Sequence, residues 1–213
     1  MAAISRRQIL QDFRTRSVLE ATRKIISREG FDAVTMERVA REAGIAKGAI
    51  YLYFRNKHEM VLSAIEEIAS EIVEAVERRM NSHALPWERL CQLVRAQIEV
   101  MEQHGELLRA LLLDRRLLSD SPRGEQTRRL LRFRKRHETN IKQILDDGVR
   151  KKTFHPVDTL SVAFYINEMA ISAVQKRVLG LGRLSREEET RALIRFLSLL
   201  LRKKSGARAE ERA

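Results

Sequence analysis

Val34-Thr35-Met36-Glu37-Arg38-Val39-Ala40-Arg41-Glu42-Ala43-Gly44-Ile45-Ala46-Lys47-Gly48-Ala49-Ile50-Tyr51-Leu52-Tyr53-Phe54 reads as two short helices around one tight turn. Thr35 is a good N-cap, and Glu37 lies in the first turn, where the helix dipole favours an acid. Met36, Val39, Ala40 and Ala43 form an apolar stripe before Gly44 stops the helix. After a three-residue turn containing Gly44, Lys47 opens a second short helix that reaches Tyr53. Val39, Ala43, Ile45 and Ile50 fall where the two helices cross. This is the pattern of a helix-turn-helix, whose second helix projects its N-terminal residues into a DNA major groove. A small three-helix bundle that merely contains a tight turn fits the same pattern.

Punctuation places helices on either side of this pair. A first helix is expected from about Thr15 to Glu29, with Val18, Ala21, Ile25 and Ile26 on one stripe and Gly30 as the stop. Asn56-Lys57-His58-Glu59 opens a long fourth helix, with Asn56 as cap and Glu59 in the reciprocal position. It reaches about Met80 and keeps Val61, Ile65, Ile68, Ile72 and Val76 in register. Pro86 starts a fifth helix that runs to about Gln103. Gly105 to Leu113 is a short sixth helix. Pro122 opens a seventh ending near Gly148, and Pro156 opens an eighth ending at Gly180. Ser185-Arg186-Glu187-Glu188 is a capping box for a ninth, which reaches about Lys203. No alternating strand pattern and no long repeat appears. The last ten residues are polar and basic and are expected to fray.

The chain has 213 residues, enough for one large domain or two small ones with real cores. Lys and Arg number 41 against 29 Asp and Glu, a net charge of +12 that points to a polyanionic partner. Residues 1–58 carry 12 basic and 6 acidic groups, so the surplus is densest around the helix-turn-helix. The 44% apolar content excludes a disordered basic tail, and three prolines and few aromatics disfavour a β-sandwich. The single cysteine, Cys91, excludes an intramolecular disulfide and a cysteine-paired zinc site and fits a reducing cytoplasm. No signal peptide follows Met1, and no run of about 18 apolar residues marks a membrane span. The five histidines are scattered, with no metalloprotease motif, nucleophile elbow or phosphate-binding glycine loop. Neither catalysis nor a cofactor is expected.

Gly30-Phe31-(x)2-Val34-Thr35-Met36-(x)2-Val39-Ala40-(x)2-Ala43-Gly44-Ile45-Ala46-Lys47-Gly48-Ala49-Ile50-Tyr51-Leu52-Tyr53-Phe54-(x)2-Lys57 closely resembles the DNA-binding signature of the TetR family of transcriptional regulators. The resemblance implies an all-α, nine-helix architecture. Residues 1–57 would form the three-helix DNA-binding domain, with helices at about 15–29, 35–43 and 47–53. Residues 58–213 would form a helical domain for effector binding and dimerisation. It further implies that Tyr51 and Lys57 reach phosphates, that Thr35 faces one from its helix cap, and that Tyr53 lies near the DNA backbone. Lys47, Gly48 and Ala49 open the recognition helix. There Lys47 is suited to guanine O6 or N7 and the Ala49 methyl to a thymine methyl. Glu37 departs from the basic or neutral residue of several relatives, and reads either as an acceptor from cytosine N4 or as a solvated acid. Arg6, Arg7, Arg14 and Arg16 read either as an arm for the minor groove or as solvated charge.

The resemblance also implies a homodimer through the last two helices on a near-palindromic double-stranded DNA operator. Leu193, Phe196, Leu197, Leu200 and Leu201 give the ninth helix an apolar stripe. Ala163, Ile166, Ala170 and Ala173 give the eighth a small-residue stripe suited to close approach, and Phe164, Asn167, Ile171 and Val174 a second one. Both helices could instead close a monomeric core. Rare polar residues inside apolar stripes mark candidate contacts for a small, largely apolar or acyl-type effector. These are Gln97 near Met101, His137 near Phe133, and Asn167 near Phe164, or else each is a hydrogen-bonded core residue. Arg128, Arg129, Arg132, Arg134, Lys135 and Arg136 read either as attraction for an anionic ligand or as a solvated face. The function expected is ligand-responsive repression of transcription in the cytoplasm. The alternative is an architectural or activating DNA-binding protein without small-molecule control.

Overall fold

A computed structural model of the chain describes residues 6–79, 84–113 and 125–203. Among them lie eight α-helices: α1 (Arg6–Glu29), α2 (Met36–Glu42), α3 (Lys57–Arg79), α4 (Pro86–Gln103), α5 (Gly105–Leu113), α6 (Glu125–Arg150), α7 (Thr159–Val178) and α8 (Arg186–Leu201). Two 3₁₀ turns, Phe31–Ala33 and Ala49–Leu52, flank α2. The class is all-α, as the punctuation predicts. No helix among the described residues is long and apolar enough to cross a membrane. The chain forms two compact units, one drawn from Met1–Ser70 and His104–Phe133, the other from Glu71–Gln103 and Arg134–Ala213.

In the first unit α1 packs on α2 and α5. Val18, Ile25 and Ile26 of α1, Val39 and Ala40 of α2, and Ile50, Phe54, Met60 and Val61 are all buried. Each of these apart from Ala40 contributes about 1.5–3 kcal/mol of transfer free energy. Arg38 of α2 binds Glu29 at the end of α1, and this hydrogen bond holds the Glu29 carboxyl below its ordinary range. The helix α1 begins nine residues before the expected Thr15. Residues 6–14 contain no glycine or proline to stop it. Packing is not the cause, because Ile9, Leu10 and Phe13 lie exposed on that extension. The four arginines of the proposed arm are therefore on helix, not on an extended strand.

The expected recognition helix over 47–53 is instead a 3₁₀ turn over Ala49–Leu52. Its N-cap is Gly48, which has no side chain to accept from the first N–H groups, so the turn starts late. Gly44, at φ 66°, ends α2 as expected. Its N–H donates to Arg41 O and that of Ile45 to Ala40 O, the paired bonds of a Schellman motif.

In the second unit α4 packs against α7, and α8 packs on both. Leu93, Val94 and Ala96 of α4, Ile141, Ile144 and Leu145 of α6, Ile166 and Val174 of α7, and Leu197 of α8 form the core. The proposed opening of α6 at Pro122 lies outside the described residues. Gly148 does not end that helix. It sits inside α6 because a Cβ there would lie 2.1 Å from the ring of Phe154. The stop comes at Lys152, a non-glycine residue at φ 57°, with Lys152 N–H donating to Val149 O and Thr153 N–H to Gly148 O. Phe154 is fully buried, edge-on to Trp87. His155 N–H donates to Leu201 O and Lys203 N–H to Thr153 O, clasping this turn to the end of α8.

Pro156 does not open α7. Asp158 caps it by accepting from Leu160 N–H, so the helix begins at Thr159. The capping box Ser185–Glu188 is present in full.

Candidate DNA-binding face and effector cluster

The first unit carries every residue implied for DNA contact. Thr35 caps α2, its hydroxyl accepting from Arg38 N–H at 3.2 Å. The Lys47 ammonium binds the Glu37 carboxylate at 3.0 Å with both side chains exposed. Glu37 is thus neither a free acid nor an isolated acceptor, and Lys47 leaves a carboxylate if it moves to a base. Gly48 and Tyr51 are exposed, and Ala49 and Tyr53 half-buried. Lys57 is half-buried: its Nζ donates to Phe31 O at 2.9 Å and lies 3.9 Å above the Phe31 ring. That side chain therefore anchors the start of α3 to the turn after α1, whatever further partner it takes.

One exposed side chain was not expected there. Leu52 is 78% exposed beside Tyr51. The signal was available, since Ile50 is the inward residue of so short a turn and Leu52, two positions on, cannot share its direction.

In the second unit two of the expected effector residues, Gln97 and Asn167, join one polar chain. Gln97 Nε2 donates to Asn167 Oδ1 at 2.8 Å, and Asn167 Nδ2 reaches Glu138 Oε1 at 3.5 Å. Arg134 donates to that same Glu138 oxygen at 2.9 Å and to Glu168 at 2.8 Å. His137 is buried one position before Glu138, on the stripe with Ile141 and Ile144, and burial pushes its imidazole down to about 4. It is therefore neutral near pH 7. Met101 is buried as well. Phe164 is not a wall of this interior. It is exposed, edge-on to Tyr165 beneath the Arg134 guanidinium, because it lies one residue round α7 from buried Ala163. Phe133 is half-buried and belongs to the first unit.

Sequence spacing gave no sign of Glu138 as the link between the surface arginine and the buried amides. Its own neighbours on α6 are too polar to mark it out. The basic run is partly matched by carboxylates: Arg136 forks onto Glu77 with two bonds of 2.9 Å, and Arg129 lies 3.9 Å from Glu66.

The α7 and α8 stripes are also divided. Ala163, Ile166, Ala170 and Ala173 are buried within the subunit, where α7 packs on α4, so the small residues serve that contact. On α8, Leu197 and Leu201 point inward while Phe196, Leu199 and Leu200 are exposed. Between the two helices lies an open groove of about 290 Å³ lined by Met169, Ala173, Ala192, Leu193 and Phe196.

A capped short helix, a glycine turn and a second turn with exposed lysine and tyrosine define a DNA-binding protein of the helix-turn-helix class. Comparison with known proteins sharpens this. Residues 18–64 match the family model of bacterial regulatory proteins of the tetR family, and residues 83–175 match that of a tetracyclin repressor-like C-terminal domain. The HTH-type transcriptional regulator BetI of Rhizobium meliloti (strain 1021) is 27% identical over 122 residues, which are 57% of this chain and 59% of that protein. The crystal structure of a transcriptional regulator from Saccharomonospora viridis in complex with choline superposes with a TM-score of 0.75, at 18% identity, over 91% of this chain and 100% of the other. That of FadR from Bacillus subtilis in complex with stearoyl-CoA gives 0.70, also at 18% identity, over 85% and 96%. At such identity the structural likeness speaks for the fold. The chain belongs to the TetR family of transcriptional regulators.

Proposed function

We propose that this chain is a repressor that binds a near-palindromic operator as a homodimer and is released by a small, largely apolar organic or acyl-type effector. The observation that carries the DNA-binding half is the exposure of Thr35, Lys47, Gly48 and Tyr51 on the two short elements around the Gly44 turn in the first unit. Lys47 is assigned to base reading, with Ala49 beside it. Tyr51, Tyr53, Thr35 and Lys57 are assigned to the phosphate backbone. The boundary between the DNA-binding and effector domains is placed at Lys57, where α3 begins. Exposed Tyr165, Phe196, Leu199 and Leu200 support a dimer through α7 and α8, because a monomer would leave this apolar surface in water. Gln97, Met101, His137 and Asn167 are assigned to the effector, whose differential affinity for the two arrangements of the protein shifts DNA binding. One structural neighbour is solved with choline and another with stearoyl-CoA, which supports control by an organic or acyl-type ligand, and the action is assigned to the cytoplasm. Selection of bound sequences from a random duplex library tests the reading. Recovery of a two-fold-symmetric motif is expected. Recovery of no preferred sequence overturns it.

A further inference from the structure

We propose that the effector carries an uncharged head group able to donate and accept hydrogen bonds, a hydroxyl or a carboxamide, seated against Gln97 and His137. This rests on the effector reading above and names the chemistry of that same site. Gln97 is 2% exposed and His137 4% exposed. Gln97 Nε2 is used by Asn167, but among the described residues Gln97 Oε1 has no hydrogen-bond partner, and neither Nδ1 nor Nε2 of His137 has one. Buried polar atoms are nearly always matched, so three unmatched ones within the unit's interior mark groups kept for a partner from outside the chain.

Their chemistry specifies that partner. A carboxamide oxygen only accepts, so Gln97 calls for a donor. A neutral imidazole offers one N–H and one lone pair, and His137 is held neutral by its burial. A hydroxyl or a primary amide satisfies both. A carboxylate has no proton for Gln97, and a quaternary ammonium has none for either residue. Gln97 is uncharged and His137 neutral, so neither offers a charge to offset an ionic head group. Arg134, the cation joined to this polar chain, already faces Glu138 and Glu168. An ionised head group would therefore be buried without a counter-charge, which is the costlier arrangement.

Calorimetric titration of the full chain with four probes sharing a ten-carbon tail tests this: 1-decanol, decanamide, decanoate and decyltrimethylammonium, each below its micelle concentration. The alcohol and the amide are expected to bind at least tenfold tighter than either ion. Gln97→Leu and His137→Leu should each erase that preference. His137→Leu should melt no lower than the parent, because an apolar side chain replaces an unmatched polar one, whereas Gln97→Leu also strips Asn167 Oδ1 of its donor and should melt somewhat lower. If an ion binds as tightly as the alcohol, or the preference survives both substitutions, the head-group assignment fails while the effector reading stands. If none of the four binds, both fail. The ranking of probes on the unaltered chain decides the matter even if a variant does not fold.

Discussion

Lys47 and Glu37 show how one contact changes what a residue can do. Their ion pair is exposed and adds little to stability, yet it sets the state from which Lys47 must leave to reach DNA. Glu37→Gln should therefore raise affinity for operator and unrelated DNA alike and steepen the salt dependence by up to about one unit of slope. Lys47→Ala should instead relax sequence preference, since a good base contact carries about 1–3 kcal/mol of discrimination. Fluorescence anisotropy over a series of salt concentrations separates the two, and an unchanged preferred sequence in Lys47→Ala removes that residue from base reading.

His137 couples the stability of the fold to pH. Its folded pKa of about 4 lies below the ordinary 6.5. Below pH 6.5 the unfolded chain takes up the proton first, so stability is fully present above that pH and declines as pH falls towards 4. At about 1.4 kcal/mol per unit the loss approaches about 3 kcal/mol. Melting curves from pH 7 to pH 4 should show this decline in the parent and a shallower one in His137→Leu. Parallel curves would refute it.

Among the elements, the end of α6 carries the plainest strain. Lys152 occupies the left-handed position of a Schellman-type stop, where a side chain costs about 1–2 kcal/mol and glycine costs less. Lys152→Gly should therefore stabilise the protein by about 0.5–1 kcal/mol once glycine's greater freedom in the unfolded chain is set against that gain. Four residues earlier glycine is the required residue. Gly148→Ala is expected to be strongly destabilising despite alanine's better helix propensity, because its methyl would enter the ring of Phe154. Denaturant titration of the two variants should move the midpoint in opposite directions. A gain from Gly148→Ala would show that Phe154 has room to move.

At the scale of the molecule, the exposed residues of α7 and α8 are those a second copy would cover. Leu199 is 75% exposed and Phe196 48% exposed on successive turns of the last helix. Leu199→Glu would place a charge in the proposed interface, where unmatched ions are costly, while leaving the inward Leu197 and Leu201 untouched. Sedimentation at micromolar concentration should find a dimer for the parent and a monomer for the variant. The variant should also lose most affinity for a two-fold DNA site, because its two halves would then bind separately. A monomeric parent would sink the dimer proposal.

What was readable in the order of residues was local. The cap at Thr35, the stop at Gly44 and the capping box at Ser185 all lie within interactions that close over three to five residues, so spacing alone specifies them. The buried stripes of α1 and α3 were legible for the same reason, as a helix repeats its inward face every three or four positions. Spacing does not say which neighbour a stripe meets. The alanines of α7 were equally suited to another copy or to α4, and the folded chain gives them to α4. Nor does it show partners far apart in sequence: Lys57 bound to a carbonyl 26 residues away, or Gln97 joined to an amide 70 residues away. The missing Cβ of Gly148 reads as a helix stop until Phe154 is seen occupying its place. These are outcomes of packing, decided when distant segments compete for the same volume and the same hydrogen bonds, and only the folded chain holds that competition's result.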